Sequence, residues 1–479
     1  MRVQPEITAG LMDEYGYLFV GRLLLDGQNW PTHTYIFGWD ASWYLYGWAD
    51  KYLNGLIGAR LIASVLGLLS LAGFYWFVLE IWHDHRIALI ASVLLALDAS
   101  HRYTSMLATY DIISFTCFVW SLPLLIRACR QTSGQWLIPA SMSATLLILA
   151  TLSKYTVLLY LPLLGVICFV VAPKPAFVGL LIIASVLLSY GFNHYHQLSV
   201  LYDIQIAGAH KANSTYTDIV HRIARQAGPI ILIALAGLLI SVKKGHRKSI
   251  QLLLLLSLPM MAYHIIGKNA ISLQKHLIFT SAFLLPIAAW WFNLLLLSSF
   301  KHANCKGKLF TWFSICIKKG SVALVMLLVF AHGITNTLNL NTMKNSYPDV
   351  KDMLPHAQGM TETDSILSED PYLFRYLLYT KVHQNQISES NWLDNNLDGL
   401  FEHSDVKHAI WDEKYEYVFL TDQLHPHLNT ELRRMLDLQN YKLLLSKPYS
   451  IHSMSGHNRP GTLTLHQRRS LVAENTNMN

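Results

Sequence analysis

Apolar residues in this chain come in long unbroken blocks. They do not follow the alternating spacing of half-buried strands or the three-to-four spacing of surface helices. Ile87–Leu97, Val157–Ala172, Phe177–Leu188, Ile230–Val242, Leu252–Met261, Leu277–Leu297 and Val322–Ala331 are mostly Leu, Ile, Val, Ala and Phe. Extended to their polar flanks, most reach or approach the ~20 residues a helix needs to cross a bilayer. The pattern predicts about ten spanning helices, near 56–81, 87–101, 108–127, 136–152, 155–172, 176–193, 227–242, 249–266, 276–298 and 320–338. Residues 194–226 are too polar to span. His221, Arg222 and Arg225 there fit either a helix lying in the interface, basic groups toward lipid head groups, or a plain connecting loop.

The pattern changes near Asn339. Ser365–Ser368, Tyr417–Leu420, Tyr441–Leu445 and Thr462–Leu465 read as short strands, and Tyr372–Tyr379 and Thr430–Leu438 as helices, with Asn429 or Thr430 as an N-cap. Such alternation predicts a small α/β domain. The fold class expected is therefore an all-α polytopic membrane bundle with a small C-terminal α/β soluble domain. Its parts would be a first loop at 1–55, the bundle at 56–338, the α/β domain at 339–470 and a polar, disordered tail at 471–479.

Composition agrees with a membrane setting. Of the 479 residues, 52% are hydrophobic and only 14% are charged, where a soluble chain carries about 25%. The net charge of +7 does not point to nucleic acid, because Lys and Arg gather in short loops between apolar blocks. One alternate set of loops holds Arg86, Arg127, Arg130, Lys174, Lys243, Lys244, Arg247, Lys248, Lys301, Lys306, Lys308, Lys318 and Lys319; the other short loops are poorer in basic residues. The positive-inside rule makes the richer set cytoplasmic and puts 1–55 and 339–479 outside. The expected location is a bacterial inner membrane, with the C-terminal domain in the periplasm. No signal peptide opens the chain. Export of the first loop thus points to a further helix upstream, or to translocation of a short N-terminal tail. The five cysteines lie within or beside apolar blocks and show neither a disulfide framework nor zinc spacing.

Ionisable groups at membrane depth are costly and ask for a reason. On the outer face the topology gathers Asp13 and Glu14 of the first loop, Asp98, His101, Arg102 and Asp111 around one tight turn, Lys154 in another, and Lys268, Lys275 and His276 around the last. Carboxylates beside cations suit transfer of a glycosyl group from a lipid phosphate. Cations, or a metal, stabilise the departing phosphate, and a carboxylate takes the proton of the incoming hydroxyl. Trp39, Trp43, Tyr44, Tyr46 and Trp48 are candidates to line a sugar or lipid-head pocket. Each feature also has a plain reading: a solvated acidic pair, a helix cap at Asp111, a snorkelling Lys154, an aromatic belt. The histidines show no HExxH or other paired ligand spacing.

The order of these pieces resembles the bacterial members of the protein O-mannosyltransferase and aminoarabinose-transferase superfamily. The resemblance is carried by Asp13-Glu14-Tyr15 in the first loop, Gly58-Ala59-Arg60-Leu61 in the next helix and Ala108-Thr109-Tyr110-Asp111 opening another. Leu152-Ser153-Lys154-Tyr155 in a turn, the run Leu161–Leu164, and Lys275-His276 ahead of Pro286 complete it. It covers roughly 11–300 and implies the membrane GT-C fold. It further implies Asp13 as the acceptor-activating base with Glu14 in support, Asp111 organising the site or a metal, and Lys154 and Lys275 meeting the donor phosphate. Two features depart from the pattern. Phe37–Trp43 lacks a basic residue before Pro-Pro, and Met106 stands where relatives often have Arg, with Arg102 one turn away.

The function expected is an inverting glycosyltransferase using a polyprenyl-phosphate sugar donor within the lipid bilayer, with a glycan, lipid or protein acceptor. Arg102 is a further donor-phosphate candidate, and Tyr15, Trp39 and Trp43 are the substrate-pocket candidates. No cofactor is specified beyond a possible divalent cation. A secondary transporter and a non-catalytic subunit of a polysaccharide assembly complex are the alternatives. The chain shows no internal repeat of the kind transporters often carry.

Overall fold

A computed structural model describes residues 12–28, 41–131, 134–202, 215–241, 246–268, 272–301, 333, 350–379, 386–390, 393, 402–422, 425–452 and 458–469. The chain divides into two compact units. One comprises 30–42 and 60–340, the other 1–29, 43–59 and 341–479.

The first of these units is helical. Its elements are α3 (Leu56–Trp82), α4 (His85–Leu97), α5 (Ala99–Met106), α6 (Tyr110–Arg130), α7 (Leu137–Ser153), α8 (Leu161–Val171), α9 (Pro173–Asn193), α10 (Tyr195–Leu201), α11 (Tyr216–Ser241), α12 (Arg247–Ile266) and α13 (Leu273–Lys301). Among the described residues, seven helices are long and apolar enough to cross a membrane, and two shorter apolar helices cover His85–Leu97 and Tyr155–Val171. The chain is a multi-pass membrane protein. The tenth span expected, 320–338, lies outside the described residues except for Gly333. α13 is the axis of the bundle: 89% of its apolar window is buried, whereas α9 buries only 11% and keeps its apolar surface for lipid. α4, α5, α6, α11 and α12 all pack on α13.

Two expectations need correction. The span expected at 87–101 is broken at Asp98, which ends α4 and caps α5: its Oδ1 accepts from the backbone N–H of His101 at 3.0 Å. A cap of this kind satisfies an orphan N–H and restarts the helix in a new direction. The basic stretch around His221–Arg225 is neither an interfacial helix nor a loop. It forms the first turns of α11, which runs on through Pro229 into the apolar run.

The second unit joins α1 (Met12–Leu25) and α2 (Ala41–Tyr52) to the C-terminal domain. That domain contains β1 (Ile366–Ser368), β2 (Ile387–Glu389), β3 (Tyr417–Leu420), β4 (Tyr441–His452) and β5 (Asn458–Arg468), with α14 (Leu354–Gly359), α15 (Pro371–Leu377), α16 (His403–Trp411) and α17 (Pro426–Leu438). The strands form one sheet in the order β2-β1-β3-β5-β4. β1 is parallel to β2 and β3, and β5 is antiparallel to β3 and β4. α17 lays Leu428, Leu432 and Leu436, one face at i, i+4, i+8, onto Leu367, Val418 and Leu420 of the sheet.

The domain is α/β as its alternating pattern predicts, but its boundaries differ. α17 starts at Pro426, so Asn429 sits inside the first turn instead of capping it. Its amide donates to Glu369 Oε2 at 2.8 Å, and that carboxylate also accepts from Thr421 N (2.6 Å), Thr421 Oγ1 (2.9 Å) and His425 N (3.3 Å). Glu369 thus ties the end of β1 to the end of β3 and the start of α17.

α1 and α2 cross at two glycines. A Cβ on Gly21 would run into the Trp43 carbonyl and the Gly47 backbone, and a Cβ on Gly47 into the backbone of Gly21 and Arg22. No other residue permits backbones this close.

Candidate active site

The helical unit buries three charges together. Asp111 lies in the first turn of α6 behind its N-cap, Thr109, where a carboxylate suits the helix dipole. Lys154 ends α7 in extended backbone, just before the 3₁₀ turn Tyr155–Leu159. Lys275 lies in the first turn of α13. Ser114 Oγ donates to the Ala150 carbonyl at 2.8 Å and so fixes the start of α6 against the end of α7. As a result Lys154 Nζ stands 2.7 Å from Asp111 Oδ1, and Lys275 Nζ 3.5 Å from Oδ2. The three side chains are 5%, 2% and 10% exposed for Lys154, Asp111 and Lys275. Lys154 also rests over the Tyr110 ring, 4.8 Å from its centroid.

Among the described residues two ammonium groups face the Asp111 carboxylate. Isolated buried charge is costly, and a site of this kind gains most from an anion. Beside it, His264 Nε2 and His276 Nδ1 share a hydrogen bond of 2.9 Å, both rings buried. Lys275-His276 was legible as a motif. His264 carried no signal in the sequence and reaches the site only because α12 and α13 pack together. Asp98 serves the same wall: its Oδ2 accepts from Ser281 Oγ of α13 at 3.0 Å. Arg102 lies on α5, half-buried, one turn after this cap.

The other candidates belong to the unit that holds the sheet. Asp13 and Glu14 occupy the first turn of α1; Asp13 is half-buried and Glu14 fully buried. Tyr15 and Trp43, expected to line a substrate pocket, are core side chains at 2% and 3% exposure. Tyr15 packs on Tyr376 with ring centroids 5.6 Å apart, and Trp43 meets Tyr17 edge-on at 4.9 Å. Rings enclosed this way anchor the fold and offer a ligand almost no face. Trp39 lies outside the described residues.

α1 is tied to both α2 and α15. Arg22 Nε pairs with Asp50 at 3.2 Å, and Tyr376 donates to Asp50 at 2.6 Å. Lys51 pairs with Asp26 at 3.0 Å, and Tyr379 donates to Asp26 at 2.7 Å. Burial pushes the Asp50 carboxyl above the usual range, against the opposing pull of Arg22 and Tyr376. The hydrogen bond from Tyr379 pulls Asp26 below it.

Residues 11–202 match the family of dolichyl-phosphate-mannose-protein mannosyltransferases, a stretch that contains Asp13, Glu14, Asp111 and Lys154. No curated protein matches the chain by sequence. Among solved structures, apo ArnT from Cupriavidus metallidurans superposes with a TM-score of 0.60 at 10% identity, covering 96% of this chain and 94% of that one. The oligosaccharyltransferase of Archaeoglobus fulgidus, in complex with zinc and sulfate, gives 0.54 at 12% identity, over 86% of this chain and 64% of that one. The same enzyme tethered to an acceptor peptide gives 0.54 at 13% identity. The structural likeness is one of fold, and the family match covers residues 11–202. The chain therefore has the GT-C fold of these membrane enzymes, and its residues 11–202 are similar to that mannosyltransferase family.

Proposed function

We propose that the protein is an inverting glycosyltransferase that moves a sugar from a polyprenyl-phosphate carrier to an acceptor at the periplasmic face of the inner membrane. The observation that carries this reading is the buried Asp111–Lys154–Lys275 cluster, in which two lysines converge on one carboxylate. A lipid phosphate that enters sideways between helices meets two ammonium groups there. They stabilise the charge that grows on the phosphate as the C1–O bond breaks. Asp111 keeps both lysines aimed before the donor arrives. The acceptor oxygen forms its bond to C1 from the opposite face, its proton passes to Asp13 with Glu14 in support, and polyprenyl phosphate leaves. A ligand of the donor's class is the partner that the bundle's lipid-facing helices suit. Arg102 would add a further donor contact. Among the described residues no cluster of three or more His, Cys, Asp or Glu is set to hold a metal.

The test is mass spectrometry of polyprenyl-linked sugars in a deletion strain complemented with wild type, Asp13→Asn or Lys154→Met. One lipid-linked sugar should accumulate in the deletion and in both variants but not with wild type. An identical lipid pool in all strains would sink a polyprenyl-linked donor and revive the transporter and assembly-subunit readings.

A further inference from the structure

The helical unit holds an apolar cavity of about 240 Å³, lined by α3, α6, α8, α12 and α13. Buried Leu122, Leu164, Leu256 and Phe283 form its inner part. Its rim carries Arg130, the last residue of α6, and Ser249, in the first turn of α12. Val171, the last residue of α8, is exposed at the same rim. From Leu122 to Arg130 along α6, and from Ser249 to Leu256 along α12, the cavity runs about 10–12 Å at the helical rise. One leaflet is about 15 Å of hydrocarbon, so the cavity matches a stretch of one acyl chain. Asp111 lies at the opposite end of α6, about 28 Å away by the same rise.

Water does not fill such a space. An apolar cavity stays dry, and one of roughly 150 Å³ already admits benzene. The rim is basic. Arg127 Nε pairs with Glu80 at 2.6 Å, and its guanidinium covers the Trp76 ring at 4.6 Å. Arg130 meets the same carboxylate only at 3.4 Å, with its side chain 45% exposed. Arg247 and Lys248 stand exposed just before Ser249.

We infer that this cavity binds one acyl chain of an anionic phospholipid from the surrounding leaflet, its phosphate at Arg130 and its hydrocarbon running inward to Phe283. A chain in the cavity restores the dispersion contacts that an empty one forfeits. Basic pockets between membrane helices take anionic head groups, which sets the choice of lipid. The polyprenyl carrier of the proposed reaction meets its cations at the other end of α6, so the rim arginines select a different lipid.

The experiment uses the full-length protein, purified in detergent and stripped of lipid. Phosphatidylglycerol and phosphatidylcholine with the same chains are added in equal amounts, and native mass spectrometry counts the lipid retained. Wild type should hold one phosphatidylglycerol in about tenfold preference, the effect of one or two basic contacts. Arg130→Gln should lose most of that preference. Ile167→Trp, which fills the cavity from α8, should hold neither lipid there. Equal retention of the two lipids by wild type, or an undiminished preference in either variant, overturns the inference. Equimolar polyprenyl phosphate that displaces phosphatidylglycerol also overturns it and gives the space to the donor's tail. A phosphatidylglycerol with a photoreactive diazirine on its chain needs no variant and covers the case of a misfolded one. Its cross-links should fall on the peptides that hold Leu125, Ile167 and Leu252; cross-links confined to other helices overturn the site. Neither readout uses transfer activity, so failure here leaves the glycosyltransferase reading untouched.

Discussion

Lys154 and Asp111 show what burial does to an ion pair. With side chains 5% and 2% exposed, neither can turn to water if its partner is lost. Lys154→Met removes one of two cations and leaves Asp111 to Lys275 alone. Transfer should fall by about 10²-fold or more while the bundle still inserts; the check is lipid-linked sugar turnover against the amount of protein in the membrane. A second prediction concerns Asp370, the buried cap of α15. Its folded value near 7 lies above the ordinary carboxylate value of about 3.9 in an unfolded chain. The folded form therefore keeps a proton that the unfolded form has released. Its stabilising contribution is whole at low pH and is lost as pH rises through about 7. Relative to wild type, Asp370→Asn should gain stability above neutral pH, on the order of a few kcal/mol, with no gain below about pH 4. Denaturant unfolding of the full chain, followed by a probe in the C-terminal domain, reads this out. Asp111, Lys154 and Lys275 were legible because charge inside an apolar block stands out. Asp370 was not, since an acidic residue before Pro371 in a polar stretch looks like any helix cap. Only the fold buries it.

Among the elements, long apolar helices were read correctly because lipid imposes one requirement over a whole span. The errors came where a single side chain overrides hydropathy. Asp98 splits one expected span by capping α5, and α11 carries its polar first turns straight into the apolar run. In the sheet domain β2 has only three residues, too few for any periodic signal. β4 runs on past Leu445 because Ser446, Lys447 and Pro448 find partners in β5 at Thr464, Leu463 and Thr462, a pairing that polar residues alone do not announce. The α1–α2 crossing yields a sharp prediction. Gly47→Ala forces a methyl group into the backbone of α1, where no side-chain adjustment can relieve it. It should cost about 3 kcal/mol or more and expose the first loop to protease, whereas Ala at Gly27, where nothing lies within 4 Å but φ is +73°, should cost only about 1 kcal/mol. Limited proteolysis of the two variants in membranes distinguishes them.

For the whole molecule, loop charge assigns sides. An impermeant thiol reagent applied to intact cells should label a cysteine placed at Thr361, beside α14, and should spare one placed at Lys248, at the start of α12, until the membrane is opened. The reverse result would invert the topology on which the periplasmic reading rests. The helical unit lies between residues 30 and 340, but the other unit is assembled from both ends of the chain. The hydrogen bonds from Tyr376 to Asp50 and from Tyr379 to Asp26 span 326 and 353 residues. During synthesis the N-terminal segments emerge first and their partner strands and helices nearly last. α1 and α2, with the acidic pair of the first loop, must therefore wait without their partners while every membrane helix between is made and inserted. The candidate base takes its final setting only when the ribosome has released the C-terminal domain. A chain truncated late in translation would thus insert its membrane helices and still lack the partners of α1 and α2, so under the proposed function it should carry no transfer activity.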